Sequence, residues 1–323
     1  MAPKLHDDDI KHLGNAPPSY DTISMSASAD SVNFKRPLIC SFLPMKQKRV
    51  LSCIRDIVLA PNFPPSSAAP TINACAAALP AARFSDLLQT SNVEGHTALY
   101  WAIVNNRREA FLAFAGFISE LSSGCSSDLR LACIATSDHA SFTQLNLGNS
   151  DANEEVLRRS LGCPPDEVRV NELVDQQFVA SFRVRLFQKR LRITKKLSYE
   201  FVAGGRIWFL RFYMDPKWRW RVGFGLSPPS FPARPKGVLL IEAHAGKGDP
   251  GSEIPPQGLH MASSVIKTLV PDGPDCHEIP PENVAGRPFI HHSWELGDWV
   301  MFENPIYVDC DSTLHAKLEI TCK

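Results

Sequence analysis

One stretch decides how this sequence is expected to fold: residues 179–214, which read VASFRVRLFQKRLRITKKLSYEFVAGGRIWFLRFYM. In its first part, apolar residues such as Phe182 alternate with Arg183 and Arg185. Alternation with a period of two places apolar side chains on one face of a sheet and charged ones on the other. The later run at 207–213 is apolar and aromatic, which suits a half-buried pleated surface. The stretch predicts the start of an antiparallel β domain with a basic outer face.

Short strand-like runs continue from this stretch to residue 323, and loops rich in proline and glycine separate them. A series of short strands without long helices between them is typical of a sandwich or barrel. The predicted strands are 178–186, 191–194, 197–202, 206–213, 220–224, 238–243, 265–269, 289–292, 299–302, 306–309 and 314–321.

The N-terminal half carries a helical pattern instead. Val50, Ile54, Ile57 and Val58 recur at three- and four-residue spacing, which predicts a helix with one buried face. The predicted helices of this region begin with 44–59, 71–79 and 83–89. The chain is therefore expected to comprise a disordered arm at 1–38, a helical domain at 39–148, a linker with a short helix at 149–176, and an antiparallel β-sandwich at 177–323.

A turn-and-helix signal follows in residues 92–106, NVEGHTALYWAIVNN. Gly95 suits a turn, Thr97 suits the cap that opens a helix, and Leu99 and Ala102 suit its buried face. The segment resembles the ankyrin repeat, whose signature is D-G-x-T-P-L-H-x-A.

This resemblance implies a second helix over residues 108–118, with Leu112 and Phe114 among its inward side chains. A weaker echo in residues 128–145 makes Asp128 the counterpart of the threonine that opens the first helix. About two to three degenerate repeats would form a short stack. An unrelated helical bundle is the alternative.

Scattered aromatic residues in the C-terminal half form another pattern. Residues 197–213 contain S-x-x-F, a glycine pair and W-x-L-x-x-Y, residues 294–302 contain W-x-x-G-x-x-x-x-F, and residues 311–320 read DSTLHAKLEI. Together these resemble the MATH domain, also called the TRAF-like domain. The resemblance implies an eight-stranded antiparallel sandwich that binds extended peptides of partner proteins across an edge or groove, without a catalytic centre.

Seven cations and no acid lie in residues 183–196, and the candidate partner-binding residues among them are Arg183, Arg185, Arg190 and Arg192. On one face of a sheet they would suit an acidic peptide, an anionic lipid headgroup or nucleic-acid phosphate. The alternative is a solvated face that protects a sheet edge from aggregation.

The N-terminal arm contains a second candidate site, Pro17, Pro18 and Tyr20 in the string PPSY. This string fits the pattern that WW domains read, in which prolines preset a polyproline II helix. A plain proline-rich linker is the alternative.

Composition restricts the remaining classes of function. Net charge is zero, so only local patches attract nucleic acid or membranes. The sequence contains no secretory-signal pattern and no apolar run of about 18 residues that would span a bilayer. It also contains no paired-cysteine motif, so the nine cysteines are expected to be free thiols. No catalytic residue, metal ligand or cofactor is expected. The sequence predicts an intracellular adaptor or scaffold, cytoplasmic or nuclear; the alternatives are a lipid- or nucleic-acid-binding sandwich and an enzyme with an unrecognised site.

Overall fold

A computed structural model of the chain describes residues 44–148, 152–174, 176–244, 257–263, 268–271, 291–297, 300 and 305–322. Within these residues, helices dominate the N-terminal part and strands the C-terminal part, as predicted. The helices are α1 (Met45–Leu59), α2 (Ala68–Ala77), α3 (Ala81–Gln89), α4 (Ala98–Val104), α5 (Arg108–Ala115), α6 (Ser123–Thr136), α7 (His139–Gln144), α8 (Ala152–Ser160) and α9 (Phe187–Thr194). The strands are β1 (Glu167–Glu172), β2 (Gln177–Val184), β3 (Lys196–Ala203), β4 (Arg206–Met214), β5 (Trp220–Leu226), β6 (Pro235–Ile241), β7 (Leu259–Ala262), β8 (His291–Glu295) and β9 (Leu314–Cys322).

Helix α1 buries the face that its sequence pattern predicts. Val50, Ile54, Ile57 and Val58 all lie in the core of the helical region. The helix ends where Ala60 becomes extended, because a following proline disfavours helical geometry in the residue before it.

Helix α4 also begins where the sequence predicts. The hydroxyl of Thr97 accepts a hydrogen bond from the N–H of Tyr100 at 3.1 Å and so caps the helix. Leu99 and Ala102 are buried, as expected. After α4 the chain turns at Asn106, whose φ is 51°.

The next helical pair departs from the expected pattern. Helix α6 begins after Ser122, whose hydroxyl accepts the N–H of Cys125, so Asp128 lies inside the helix instead of at its start. From there the Asp128 carboxylate accepts the Thr97 N–H at 2.6 Å and lies 2.5 Å from His96 Nδ1. Asp128 therefore ties the beginning of α4 to the middle of α6.

Helix α5 ends earlier and faces differently from the prediction. It ends at Ala115, not at residue 118, and Leu112, predicted to point inward, is 53% exposed. The buried residues are Ala110 and Phe114, which stand four positions apart and so share one helix face.

The described strands form two sheets in which all neighbouring strands are antiparallel. The strand order is β1-β2-β9-β6-β7 in one sheet and β3-β4-β5-β8 in the other. Apolar side chains from both sheets share one core. The rings of Phe178 on β2 and Trp208 on β4 lie 5.4 Å apart, and a Cβ added to Gly237 on β6 would lie 2.4 Å from the Phe224 ring on β5. A side chain at position 237 would therefore collide with the opposite sheet.

One predicted strand is a helix. Residues 191–194 belong to α9, in which Phe187, Arg190 and Leu191 are buried at the three- and four-residue spacing of a helical face. An apolar–polar alternation over only four residues does not distinguish a strand from a helix, and here packing of the helical face decides.

Other strand predictions also need correction. Residues 306–309 begin in a 3-10 turn, Pro305–Tyr307, and do not form a strand. Strands β1 and β7 were not predicted, and β1 lies within the stretch expected to be a linker. Two predictions, the strands at 265–269 and 299–302, fall largely outside the described residues, as do Pro17, Pro18 and Tyr20 entirely.

The helices and the two sheets belong to one compact unit. Helices α6 and α7 pack on β3, and Val202 of β3 and Ile207 of β4 are buried in the core of the helical region. The outer face of the four-stranded sheet is therefore covered by helices at one end of the β3–β4 hairpin.

A buried ion pair crosses this joint. The Arg130 guanidinium on α6 donates to the Glu200 carboxylate on β3 at 2.7 Å, and their side chains are 11% and 4% exposed. It also donates to the carbonyls of Leu147, at 2.5 Å, and Pro228, at 2.9 Å. One side chain thus satisfies acceptors from three separate parts of the chain.

We expect Arg130→Met to lower the free energy of unfolding by about 3–5 kcal/mol, because it breaks a buried ion pair by removing the guanidinium that pairs with the Glu200 carboxylate. Arg55→Met removes a pair with Glu94 in which both side chains are more than half exposed, and should cost less than about 1 kcal/mol. Urea unfolding measures both. A double variant, Arg130→Met with Glu200→Leu, should recover much of the loss; an Arg130→Met protein as stable as the Arg55→Met protein would contradict the role of the ion pair.

His139 stands in the same joint. Its Nε2 lies 3.1 Å from the Val168 carbonyl oxygen, and its Nδ1 lies 3.4 Å from the Val202 nitrogen. A neutral ring protonated at Nε2 satisfies both contacts, since Nε2–H donates and Nδ1 accepts. Burial lowers the pKa of His139, against smaller opposing effects of the Val168 carbonyl and the Asp138 charge.

Acid should therefore destabilise the fold through His139. Below about pH 6.5, the pKa of an unfolded histidine, the unfolded state binds more protons than the folded state. The free energy of unfolding therefore decreases as the pH is lowered. His139→Gln, which keeps a donor for Val168, should reduce this loss of stability. Urea unfolding at a series of pH values tests this, and an identical pH dependence in both proteins would exclude the role of His139.

Candidate functional site

The structure separates the four arginines that the sequence nominates as a basic face. Arg183 and Arg185 both reach Glu167, with nitrogen–oxygen distances of 3.4 and 3.3 Å. The backbone N–H of Arg185 also donates to Asp166 at 2.9 Å. These two cations therefore form part of a local charge network.

Arg190 points into the protein and not outward as predicted. Its side chain is fully buried and donates to Asp166 at 2.7 Å, to Glu154, and to the carbonyl of Arg185 at 2.8 Å. The Tyr199 hydroxyl donates to the same Asp166 carboxylate at 3.0 Å. Arg190 thus ties α9 to Glu154 of α8 and to Asp166, and Asp166 in turn accepts from Tyr199 of β3, so the role of Arg190 is structural.

Arg192 is exposed, on the other side of α9. Two residues apart on a helix, side chains point about 200° away from one another, so Arg190 and Arg192 do not share a surface. The acidic partners Glu154 and Asp166 lie 36 and 24 positions before Arg190. No local pattern in the sequence reveals them.

We expect Arg190→Met to lower the free energy of unfolding by about 3–5 kcal/mol, because two carboxylates lose their buried partner. The matched variant Arg192→Met, two positions away, should change it by no more than about 0.5 kcal/mol. Chemical unfolding of both proteins provides the comparison. Equal effects would show that Arg190 does not hold these elements together.

Strand register gathers polar and aromatic side chains on the outer face of β4, β5 and β8. Trp208, Leu210 and Phe212 of β4 point into the core, so the residues between and after them point outward. Across the strands, position 211 is opposite position 223, and 223 is opposite 293. We call this group the donor face; its members are Phe209, whose ring is buried, Arg211 and Tyr213 of β4, Arg221 of β5, and His291 and Ser293 of β8. Glu295 of β8, opposite Arg221, lies on the same face and pairs with Arg219.

Strand β5 contributes bare backbone to the middle of the donor face. Gly223 and Gly225 occupy its next two outward positions after Arg221. A Cβ at Gly223 would lie 2.8 Å from the carbonyl oxygen of His292 and 3.1 Å from the ring of His291. The side chains of β4 and β8 therefore flank a strip of strand that lacks side chains.

Two guanidinium groups are held in defined positions on the donor face. The Arg211 guanidinium lies over the Phe209 ring, 4.5 Å from its centroid, in a cation–π contact. Arg221 donates to the Ser293 hydroxyl at 3.1 Å and lies 3.6 Å from Asp215. Guanidinium groups are well suited to recognise carboxylates and phosphates, because they present several N–H donors in one plane.

The phenol of Tyr213 lies between these cations and β8. Its hydroxyl is 3.1 Å from His291 Nε2, and the two rings meet edge to face. Burial raises the pKa of Tyr213, while Ser293, Arg221 and Arg211 act in the opposite direction. The hydroxyl is therefore protonated near neutral pH and can donate a hydrogen bond.

Strand β8 lies at one edge of the four-stranded sheet as the described residues define it. The outer side of an edge strand offers backbone N–H and C=O groups to another extended chain. Such a chain would run beside His291 and Ser293. The donor face thus lies directly beside this edge. None of the donor-face side chains is among the candidate binding residues that the sequence nominates.

Seven cysteines lie in the described part of the chain, and these are free thiols, as predicted. Burial raises the pKa of Cys125 to about 11 and that of Cys133 to about 12, whereas a nucleophilic thiol needs a lowered pKa. No group of three or more His, Cys, Asp or Glu among the described residues is placed to hold a metal ion. None of the helices there is long and apolar enough to cross a membrane.

Comparison with known proteins identifies no family. No protein-family model matches the chain, and a search of curated proteins found no match either. A functional proposal therefore rests on the donor face and on the edge strand beside it.

Proposed function

We propose that this protein is an intracellular adaptor that binds an extended, acidic segment of a partner protein along β8, with acidic side chains on the donor face. The observation that carries the proposal is the arrangement of Arg211, Tyr213 and Arg221 beside an edge strand.

Strand addition supplies affinity through backbone hydrogen bonds and specificity through every second side chain. In a bound strand paired with β8, alternate side chains would fall on the face that carries His291 and Ser293. Carboxylates at those positions would meet donors from the arginines and from Tyr213. This geometry favours an acidic segment over a neutral or basic one.

The resemblance to the MATH domain supports the same function. Two antiparallel sheets share a common core and contain nine described strands, of which eight, β2 to β9, lie between Gln177 and Cys322. An eight-stranded antiparallel sandwich that binds extended peptides is what that resemblance implies. We propose that the two sheets form a sandwich of this kind, and that the protein acts without catalysis.

The N-terminal half would add further recognition surfaces. The pairs α4–α5 and α6–α7 are successive helical hairpins, with Thr97 and Ser122 as their caps, and we propose that they are degenerate ankyrin-like repeats. Pro17, Pro18 and Tyr20 remain a proposed ligand for a WW domain.

Selection of peptides from a random displayed library against the full chain should enrich extended sequences that carry Asp or Glu at alternate positions. Arg211→Ala should weaken binding of a selected peptide by about tenfold or more, because a hydrogen bond to a charged group is lost. Fluorescence anisotropy with the labelled peptide measures this. Arg183→Ala, on the other sheet, is the matched control and should leave affinity unchanged.

The strand geometry has its own test. N-methylation of alternate peptide amides should abolish binding in one register and be tolerated in the other, because only every second amide faces β8. Enrichment of helical or uncharged peptides would refute the proposal, and so would equal effects of Arg211→Ala and Arg183→Ala.

A further inference from the structure

A second surface lies at the end of the four-stranded sheet where helix α9 meets the β4–β5 turn. Two large apolar side chains are exposed there: Trp218 in the turn, at 78%, and Ile193 in α9, at 56%. The turn and the helix are held together, since the Met214 N–H donates to the Lys195 carbonyl at 3.0 Å. The segments that carry the two apolar side chains therefore meet at this end of the sheet.

Exposed cations accompany these two side chains. On α9, Lys189, Arg192 and Ile193 stand at the three- and four-residue spacing of a helical face. Lys195 and Lys196, also exposed, follow directly after the helix. We call the whole surface the basic tip; its residues are Lys189, Arg192, Ile193, Lys195, Lys196, Lys217 and Trp218.

The acidic groups closest in the turn and on β8 are already engaged. Asp215 accepts the backbone N–H groups of Lys217 and Arg219, at 2.8 and 3.0 Å, and pairs with the Arg219 guanidinium at 2.9 Å. Glu295 pairs with the same arginine at 3.0 Å. The charge that the basic tip presents to solvent is therefore positive.

The Asp215 contacts also fix the turn. Together with the Trp218 N–H donated to the Asp215 carbonyl at 2.9 Å, they hold the loop in one conformation. Trp218 itself has a φ of 61°. An apolar indole is thus displayed to solvent by a well-braced turn, although burying it would stabilise the protein.

We propose that the basic tip docks on membrane surfaces that contain anionic phospholipids. Tryptophan favours the boundary between lipid headgroups and acyl chains, and Ile193 would enter the same layer. The surrounding lysines and arginine would lie at the level of the phosphates, where each cation strengthens binding. Nucleic acid or an acidic peptide would use the cations but would not require the exposed isoleucine.

This surface differs from the basic face expected from the sequence. Of the four nominated arginines it contains only Arg192, and its apolar side chains are Ile193 and Trp218, the latter from another part of the chain. It also extends the proposed adaptor function, because membrane docking would bring the donor face and its partner to a lipid surface.

Co-sedimentation of the full chain with vesicles of phosphatidylcholine, with and without phosphatidylserine, tests the proposal. The protein should bind only the anionic vesicles. Lys189→Glu with Arg192→Glu should reduce binding more than about 10-fold, since each cation near an anionic surface contributes about fivefold. Trp218→Ser with Ile193→Ser should reduce it by a similar factor.

Two matched variants control for general effects of charge and exposed apolar surface. Lys236→Glu changes an exposed lysine on β6, and Phe231→Ser removes another exposed aromatic side chain, 74% exposed in the β5–β6 connection. Both should bind vesicles as the unaltered protein does. Vesicle binding that persists in the Trp218→Ser/Ile193→Ser protein would overturn the proposal. So would a protein that does not bind vesicles but binds single-stranded RNA or poly-glutamate through the basic tip.

Discussion

A buried guanidinium group requires hydrogen-bond acceptors, and in this protein Arg130 donates to acceptors in three separate parts of the chain. Its carboxylate partner is on β3, and its carbonyl partners are Leu147 and Pro228. A charge placed inside a protein is tolerated only when it is paired and hydrogen-bonded. This requirement fixes helix α6 against the sheet. The helical half and the sheets therefore fold as one compact unit.

The position of the helices divides the outer face of the four-stranded sheet. At one end of the β3–β4 hairpin, Val202 and Ile207 are apolar and are buried in the helical region. Further along the same strand β4, the outward positions become Arg211 and Tyr213, which are half-buried. One strand thus serves as packing surface at its start and as part of the donor face at its end. The division explains why polar and aromatic groups are gathered beside the edge strand β8.

Much of the fold was predictable because local pattern and tertiary packing agree. The apolar spacing of α1, the threonine cap of α4 and the alternation in β2 and β4 each specify an element without reference to distant residues. The predictions from sequence were wrong where tertiary packing determines the local conformation or the direction of a side chain. Residues 191–194 are helical because their neighbours bury a helical face, and Arg190 turns inward because carboxylates far away in sequence receive it. Asp128 likewise joins two helices through contacts 31 and 32 positions away.

The candidate site was only partly predictable for the same reason. Arg211 and Tyr213 lie in the stretch that first indicated a sheet, but their neighbours on β8 come from much later in the chain. Tyr213 meets His291 across 78 positions, and Arg221 meets Ser293 across 72. Gly223 of β5 lies close to His291 and His292 of β8. This close approach can be recognised only when the strand register is known. Sequence pattern thus locates the charges, whereas strand order locates the site.

Amide hydrogen exchange of the full chain, with and without a saturating acidic peptide, tests the central claim most directly. If a partner segment adds to the sheet beside the donor face, exchange should slow at alternate amides of β8, His291–Glu295, when the peptide binds. Slower exchange confined to the helices α4–α7, with β8 unchanged, would contradict the account.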